Sequence, residues 1–201
     1  MNEFLNYNLK LLLLLCISLF TSIVNASVCF EKSPNFVNLN DEYFNIENGH
    51  LLTDIEKRTL STFFEKIDDR WEGDVFITEC TGSDEEPVEE NLAATLDTSV
   101  TFESNGYLSI LADMVNKKEK ISGQKTLNLL GNVNAFYADF TGSSSIVYSE
   151  RYLRRNAGGG GAQHIENIYH IIYSGDSLTI NFSYYISGVL TAREEWSLER
   201  I

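Results

Sequence analysis

The sequence has few basic residues and little cysteine. Its 201 residues include 15 Lys plus Arg against 29 Asp plus Glu, giving a formal net charge of −14, and only 3 Cys. Nucleic acids and anionic membrane surfaces repel a chain of this charge, so neither is an expected partner. The acidic excess instead favours solubility and encounters with cationic partners.

Motifs for catalysis, metal binding and phosphate binding are also absent. The sequence has no Gly-x-Ser-x-Gly turn, no Cys-x-x-Cys pair, and no calcium-loop spacing among the acidic residues of 84–90. The glycine run 158–161 lacks the Gly-Lys-Ser or Gly-Lys-Thr ending and the following helix of a phosphate-binding loop. We therefore expect no catalytic residue, no metal ion and no cofactor.

One group of metal-ligating residue types needs a separate argument. His164, Glu166 and His170 alternate onto one face of a predicted strand. From residue 164 to residue 170 such a strand rises about 20 Å, which is too far for both histidines to bind one ion. The turn pattern described below also places this face on the outside, so we do not predict a metal site here.

The beginning of the chain has the pattern of a secretory signal. Lys10 precedes an apolar run of about ten residues, and small residues follow at Val24 and Ala26. The run falls short of the roughly 20 residues that a membrane-spanning helix needs. We expect residues 1–26 to be a cleavable signal peptide, the protein to be secreted or periplasmic, and no stable membrane insertion after signal removal.

Removal of this signal peptide would leave a single pair of cysteines. Cys16 leaves with the signal, and Cys29 and Cys80 remain in an oxidising compartment, which predicts a disulfide. Closing a loop of this length stabilises by roughly 4 kcal/mol in the chain-entropy model. Residues 27–52 show no clear period, so we expect an irregular outer segment that this disulfide fixes to the outside of the fold.

A helix and a strand follow this segment. Thr53 and Glu56 have the spacing of a capping box, which predicts a helix over residues 54–67 covering one end of the fold. In residues 69–80 the side chains alternate, so Trp71, Gly73 and Val75 share an inner face with Ile77.

The first and last strands carry a recognisable pair. Trp71 opens the first strand, and Arg200 lies on the apolar face of the last strand with Trp196 and Leu198. A tryptophan at the head of the first strand with an arginine on the last resembles the lipocalin and wider calycin pattern. The resemblance implies a β-barrel in which Arg200 stacks on Trp71 and both residues close one end.

Hairpin patterns support the same architecture. Three turns would place the apolar residues of their paired strands on one face of the sheet. They are the loops 104–106 and 186–188, each with a left-handed glycine, and a turn at Gly175-Asp176. Residues 53–201 are thus predicted to form an all-β domain with one N-terminal helix. Its sheet would be an antiparallel, up-and-down, calycin-like β-barrel of about eight to nine strands.

The predicted interior is rich in aromatic residues and contains charged ones, which must be paired or neutral when buried. One interpretation is a site for a small apolar or amphipathic ligand. The alternatives are a filled structural barrel, or an inhibitor-like envelope protein that binds a basic protein through its acidic exterior. The candidate ligand-binding residues are Tyr148, Glu150, Tyr152, Arg154, Tyr169, Tyr173, Phe182, Tyr184, Glu194 and Trp196.

Overall fold

A computed structural model describes residues 27–34, 53–103, 107–116, 118, 121–130, 135–140, 144–155 and 161–201. The expected signal peptide and most of the expected outer segment, at 1–26 and 35–52, lie outside these residues, as does the predicted left-handed Gly106.

The described helix, α1 (Asp54–Ile67), begins where the sequence predicts it. The Thr53 side chain accepts from the backbone N–H of Glu56, and the Glu56 carboxylate accepts from the backbone N–H of Thr53. This capping box satisfies donors that have no partner within the helix. The buried side chains of α1 are Leu60, Phe63, Phe64 and Ile67.

The strands form one antiparallel sheet. Its order is β4-β3-β2-β1-β9-β8-β7-β6-β5, so neighbours in the chain are neighbours in the sheet and β1 also pairs with β9. Among the described residues no ladder joins β4 to β5, and the sheet is an up-and-down curled half-barrel. Its strands are β1 (Asp69–Gly82), β2 (Pro87–Phe102), β3 (Tyr107–Asn116), β4 (Ile121–Leu130), β5 (Ala135–Phe140), β6 (Ser145–Arg155), β7 (Ala162–Ser174), β8 (Ser177–Ile186) and β9 (Val189–Arg200).

Strand β1 lies in the middle of this sheet, where the first and last strands meet. Trp71 pairs with Arg200, and Gly73 pairs with Leu198. A Cβ atom on Gly73 would lie 2.0 Å from the carbonyl oxygen of Ser197. Glycine is therefore required at this position, because only it lets β9 approach so closely.

The helix covers the end of the sheet at which β1 begins. The ring of Phe64 lies 5.9 Å from that of Phe102, and the indole N–H of Trp71 donates to the carbonyl oxygen of Ile67 at 3.0 Å. The guanidinium carbon of Arg200 lies 4.9 Å from the centre of the Trp71 ring. The expected stacking of these two residues at the closed end is confirmed, with the buried indole satisfied by a hydrogen bond.

Two of the predicted hairpin registers are confirmed. Phe102 pairs with Leu108, so their strands share an apolar face. Gly175 has φ +61, and the register it sets pairs Tyr173 with Leu178, as expected for the turn at Gly175-Asp176.

The third hairpin turns differently from the prediction. Ile186 pairs with Val189, so the turn has two residues, Ser187 with φ 51 and Gly188 with φ 81, in place of three. The additional residue lies inside the ladder, at a register shift beside Tyr184. Positive φ at both turn positions matches the right-handed twist of the strands, and the shift restores the predicted faces beyond it.

The described N-terminal residues 27–33, here called the strap, lie across the outside of the sheet. The backbone N–H of Phe30 donates to the carbonyl of Leu190 at 3.2 Å, and that of Leu190 donates to Glu31 at 2.8 Å. Cys29 and Cys80 are joined by a disulfide with a Cα–Cα distance of 5.3 Å. The predicted pairing is therefore confirmed, and the strap contacts the outer face of the sheet.

Candidate functional site

A row of side chains crosses four strands on the inner face of the sheet. Glu194, Phe182, Tyr169 and Tyr148 are direct cross-strand neighbours on β9, β8, β7 and β6. The Tyr169 ring stacks on Phe182 with centroids 4.9 Å apart and lies 6.2 Å from Tyr148. Pairs of this kind add to the stability that burial alone supplies.

A second row lies next to it, farther from α1. Asn167 on β7 pairs with Tyr184 on β8 and with Glu150 on β6. Asn167 lies near the hydroxyls of Tyr152 and Tyr169, and its side-chain amide partly opposes the rise in their pKa that burial causes. Asn167 is 9% exposed, and within the described residues its carbonyl oxygen Oδ1 has no hydrogen-bond partner. Natural proteins rarely leave such an oxygen unsatisfied, which marks this position as unusual.

Asn167 is not among the residues that the sequence pattern predicted for the ligand site. A signal for it was present, because it lies at the two-residue spacing of Ile165, Tyr169 and Ile171 and is the polar member of that apolar face. A polar residue in such a series is a candidate for a buried contact.

Glu150 lies at the centre of the tyrosines in these rows. It is 2% exposed, and the Tyr148 hydroxyl donates to its Oε1 at 3.1 Å. Burial, followed by the charge of Glu150, raises the pKa of Tyr148 far above its usual range, and the same two causes raise that of Tyr169. These hydroxyls therefore remain protonated donors at neutral pH.

Glu194 is more fully paired. The Lys125 ammonium on β4 contacts its Oε1, and the indole N–H of Trp196 donates to its Oε2 at 3.0 Å. Trp196 is fully buried, so both partners of this carboxylate are fixed by the inner face. A buried carboxylate with two donors is a structural contact on the wall of the site.

The remaining candidates divide between the two ends of the sheet. Tyr173 belongs to the closed end, where its ring lies 6.3 Å from Trp71 and its hydroxyl accepts from Arg200. Tyr152 is half-buried beside Asn167. Arg154 is exposed, in contrast to the expected interior position, and donates to the Tyr184 hydroxyl at 3.0 Å. Its guanidinium remains in water because β6 continues past the buried rows.

The inner face therefore has a closed end and an open end. Tyr148 is fully buried, Tyr184 is half-buried and Arg154 is exposed, whereas Ile165, which pairs with Tyr152, is also fully buried. Asn167 lies at the level of Tyr184, with which it pairs. We call the set of Tyr148, Glu150, Tyr152, Asn167, Tyr169, Phe182 and Tyr184 the inner cluster.

The outer face has a different feature, an acidic groove of about 770 Å³. Asp113, Asp97, Glu72 and Glu199 are direct cross-strand neighbours on β3, β2, β1 and β9, and all four line the groove. Arg70 forms an exposed ion pair with Asp97 at 3.1 Å. Like charges placed directly opposite one another destabilise a sheet, so this row is unfavourable in the isolated protein.

In the part of the chain that the structure describes, no three His, Cys, Asp or Glu side chains group together as metal ligands. Across the same residues no helix has the length and apolar character that a membrane span requires.

Comparison with known proteins identifies no family. No protein-family model matches the chain, and no curated protein matches it. One solved structure, an acyl-CoA thioesterase II TesB2 from Mycobacterium marinum, aligns with 78% of this chain and 95% of its own at 9% identity, with a TM-score of 0.21. A similarity at that level gives no basis for a shared fold or function.

Proposed function

We propose that this protein binds a small amphipathic molecule at the open end of its inner face, in the inner cluster. The observation that carries the proposal is the buried Asn167 Oδ1, which has no partner among the described residues and lies between Glu150 and Tyr184. A polar atom placed in this way among stacked aromatic rings matches the usual composition of ligand sites, which are apolar with a few polar groups.

The distribution of burial supports access from one end. Tyr152 and Tyr184 are half-buried, whereas the aromatic residues nearer α1 are covered by the helix and by the Trp71–Arg200 stack. A ligand entering from the open end would meet two tyrosine rings first and the polar atoms next. Its apolar part would then lie against the rings, and its polar part would reach Asn167 and Glu150.

A neutral, apolar fluorescent probe tests the proposal. We expect Nile red to bind one per chain and to quench the fluorescence of buried Trp196. The variant Tyr184→Ala should weaken binding about tenfold, because an aromatic contact of roughly 1.5 kcal/mol is lost. Tyr152→Ala should change the affinity in the same direction.

Phe76→Ala is the matched control for these variants. Phe76 is 45% exposed on the outer face of β1. The substitution therefore removes an aromatic side chain of similar size from the opposite side of the sheet. Probe affinity should be unchanged in this variant. Failure of folded wild-type protein to bind the probe would refute the proposal and favour a filled interior.

A second candidate function rests on the acidic groove. The unfavourable row formed by Asp113, Asp97, Glu72 and Glu199 would be relieved by a basic protein partner docking on the outer face. Exposed Phe76 and Val115 line the adjoining groove and offer apolar contacts beside the carboxylates. A basic surface with an apolar side chain between its cationic residues would complement both features.

Salt dependence and charge removal test this second candidate. Glu72→Gln combined with Glu199→Gln should weaken binding of a basic protein such as lysozyme, and the wild-type affinity should fall steeply with added salt. The matched control removes the same charge from the exposed loop between β1 and β2, as Glu85→Gln with Glu86→Gln. Equal losses in the two double variants would show that only net charge matters and would refute a role for the groove.

An exported location forms part of both proposals. The Cys29–Cys80 disulfide is of a kind that persists in oxidising compartments, and residues 1–26 have the composition of a cleavable signal. We expect N-terminal sequencing of protein recovered from the envelope or the medium to begin at Ser27. Recovery of the intact chain from the cytoplasm would contradict this.

A further inference from the structure

We infer that the polar end of the ligand is a protonated primary amine, whose ammonium donates to Asn167 Oδ1 in the inner cluster. This inference rests on the proposed function, since it specifies the chemical class of the ligand for that site. It begins from the kind of atom that lacks a partner. Oδ1 of an amide only accepts hydrogen bonds, so a group that satisfies it must donate one.

The groups around Asn167 favour a cationic donor over a neutral one. Glu150, next to it on β6, is a second acceptor, and Glu194 contributes another carboxylate to the same face. Burial is the main cause of the raised pKa of Tyr148, Tyr152 and Tyr169, and the charge of Glu150 adds to it in each case. The same negative charge favours a positive charge brought into the cluster.

The aromatic rings favour the same chemistry. Tyr169, Phe182 and Tyr184 form a ladder with ring centroids 4.9 Å and 6.5 Å apart, beside the row that contains Asn167. Ring faces attract ammonium groups, and the attraction increases where water is excluded. An alkyl or aryl chain on the amine would then extend along these rings toward the open end.

A carboxylate ligand fits this arrangement less well. Arg154, on β6 toward the open end, already donates to the Tyr184 hydroxyl at 3.0 Å and to Gln163 Oε1 at 2.9 Å. Lys125, on the inner face of β4, contacts Glu194. A carboxylate placed at Asn167 Oδ1 would bring an acceptor against an acceptor, which leaves both without a hydrogen bond.

The test compares three ligands of equal chain length on the full chain with its disulfide intact. Calorimetry with octylamine, octan-1-ol and octanoate should give one-to-one binding of octylamine, about tenfold tighter than octan-1-ol, because the hydrogen bond is charge-assisted. Octanoate should bind more weakly than either. Octylamine binding no tighter than octan-1-ol would overturn the inference.

Variants at position 167 locate the preference. Asn167→Leu should bring the octylamine and octan-1-ol affinities to within about twofold of each other, because the acceptor is removed while similar side-chain volume remains. Asn181→Leu is the matched control, since Asn181 lies half-buried on the neighbouring strand with its side chain on the outer face. It should keep the wild-type preference. An undiminished preference in folded Asn167→Leu would overturn the inference.

The outcomes separate this inference from the proposed function. If Nile red binds and octylamine shows no advantage, the site exists and the amine inference alone is wrong. If neither Nile red nor any of the three ligands binds, both are wrong. Should Asn167→Leu not fold, the wild-type ligand series still decides the question.

Discussion

Two buried glutamates on opposite faces of the same strand pair show how a structural site differs from a candidate binding site. Glu166 lies on the outer face of β7 under the strap, and it accepts from Ser33 Oγ, from Ser149 Oγ at 3.0 Å and from Arg151 Nε at 3.0 Å. Glu150 lies on the inner face of β6 beside Asn167, whose Oδ1 has no partner among the described residues. The two carboxylates are 1% and 2% exposed, so burial does not distinguish them.

The difference lies in how completely each cluster satisfies its own atoms. The cluster around Glu166 contains the donors that its carboxylate needs, supplied by the strap and by β6. Such a cluster holds chain segments together and has no polar atom left for a ligand. The inner cluster, in contrast, contains the Asn167 oxygen that has no hydrogen-bond partner among the described residues. Four predictions test this contrast, beginning with the largest expected effect.

The largest effect is expected at the outer ion pair. Glu166→Leu should lower the free energy of unfolding by about 3–5 kcal/mol, because it leaves the Arg151 guanidinium buried without its carboxylate. Denaturation in urea measures this change. The double variant Arg151→Met with Glu166→Leu should recover most of the loss, since no charge then remains buried.

An exposed ion pair provides the control for that experiment. Arg70 and Asp97 are 3.1 Å apart, close to the 3.0 Å of the buried pair, but their side chains are 66% and 58% exposed. Asp97→Leu should therefore change stability by less than about 1 kcal/mol. Similar losses in the two single variants would show that the outer cluster is not the saturated structural network inferred above.

The second prediction concerns the disulfide, which also attaches the strap to the sheet. Replacing both Cys29 and Cys80 with Ser should lower stability by about 4 kcal/mol, because the unfolded chain then regains the entropy of the open loop. The same denaturation experiment measures this loss, and non-reducing peptide mapping of the wild type checks the pairing. Recovery of both residues as alkylatable thiols would remove the claim.

The third prediction compares one neutral side chain from each cluster. Ser149→Ala removes a donor from buried Glu166 and should cost about 1–3 kcal/mol. Asn167→Leu should change stability by less than about 1 kcal/mol, because the loss of its contacts to two tyrosines is offset by removal of an unsatisfied oxygen. A larger loss for Asn167→Leu than for Ser149→Ala would reverse the assignment of the two clusters.

The fourth prediction concerns the inner tyrosines. It applies only at alkaline pH, because these hydroxyls stay protonated at neutral pH. Burial and Glu150 raise the pKa of Tyr148 and Tyr169 above the usual value of 10.0. Their contribution to stability is therefore complete below pH 10 and decreases as the pH rises above it, since the unfolded chain ionises first. Absorbance titration should show these two hydroxyls ionising only as the chain unfolds.

The variants Tyr148→Phe and Tyr169→Phe identify the signals of these two hydroxyls. Each variant should reduce the absorbance change that accompanies alkaline unfolding. Each should leave unchanged the absorbance change from tyrosines that ionise at lower pH, before the chain unfolds. Ionisation of both hydroxyls near pH 10 in folded protein would contradict their position in a buried, negatively charged cluster.

The sequence by itself determined the periodic and local features of this protein. The capping box of Thr53 and Glu56 fixed the start of α1, because its two hydrogen bonds form within four residues. Two-residue alternation assigned the side chains of β1 and β7 to faces, and the pair Trp71 and Arg200 indicated that the first and last strands meet. The disulfide followed from the count of cysteines and the expected compartment.

Only the tertiary structure decided which polar atoms are satisfied. The sequence placed Glu166 on an outer face, but the strap that buries it is 133 residues away in the chain. Alternation likewise put Arg154 inside, although the buried rows end before the end of β6. Asn167 was overlooked because its significance lies in the absence of a partner for Oδ1, and hydrogen-bond partners are supplied across strands rather than along them. Side-chain direction follows from local geometry, whereas burial and hydrogen-bond satisfaction depend on segments that meet only when the chain has folded.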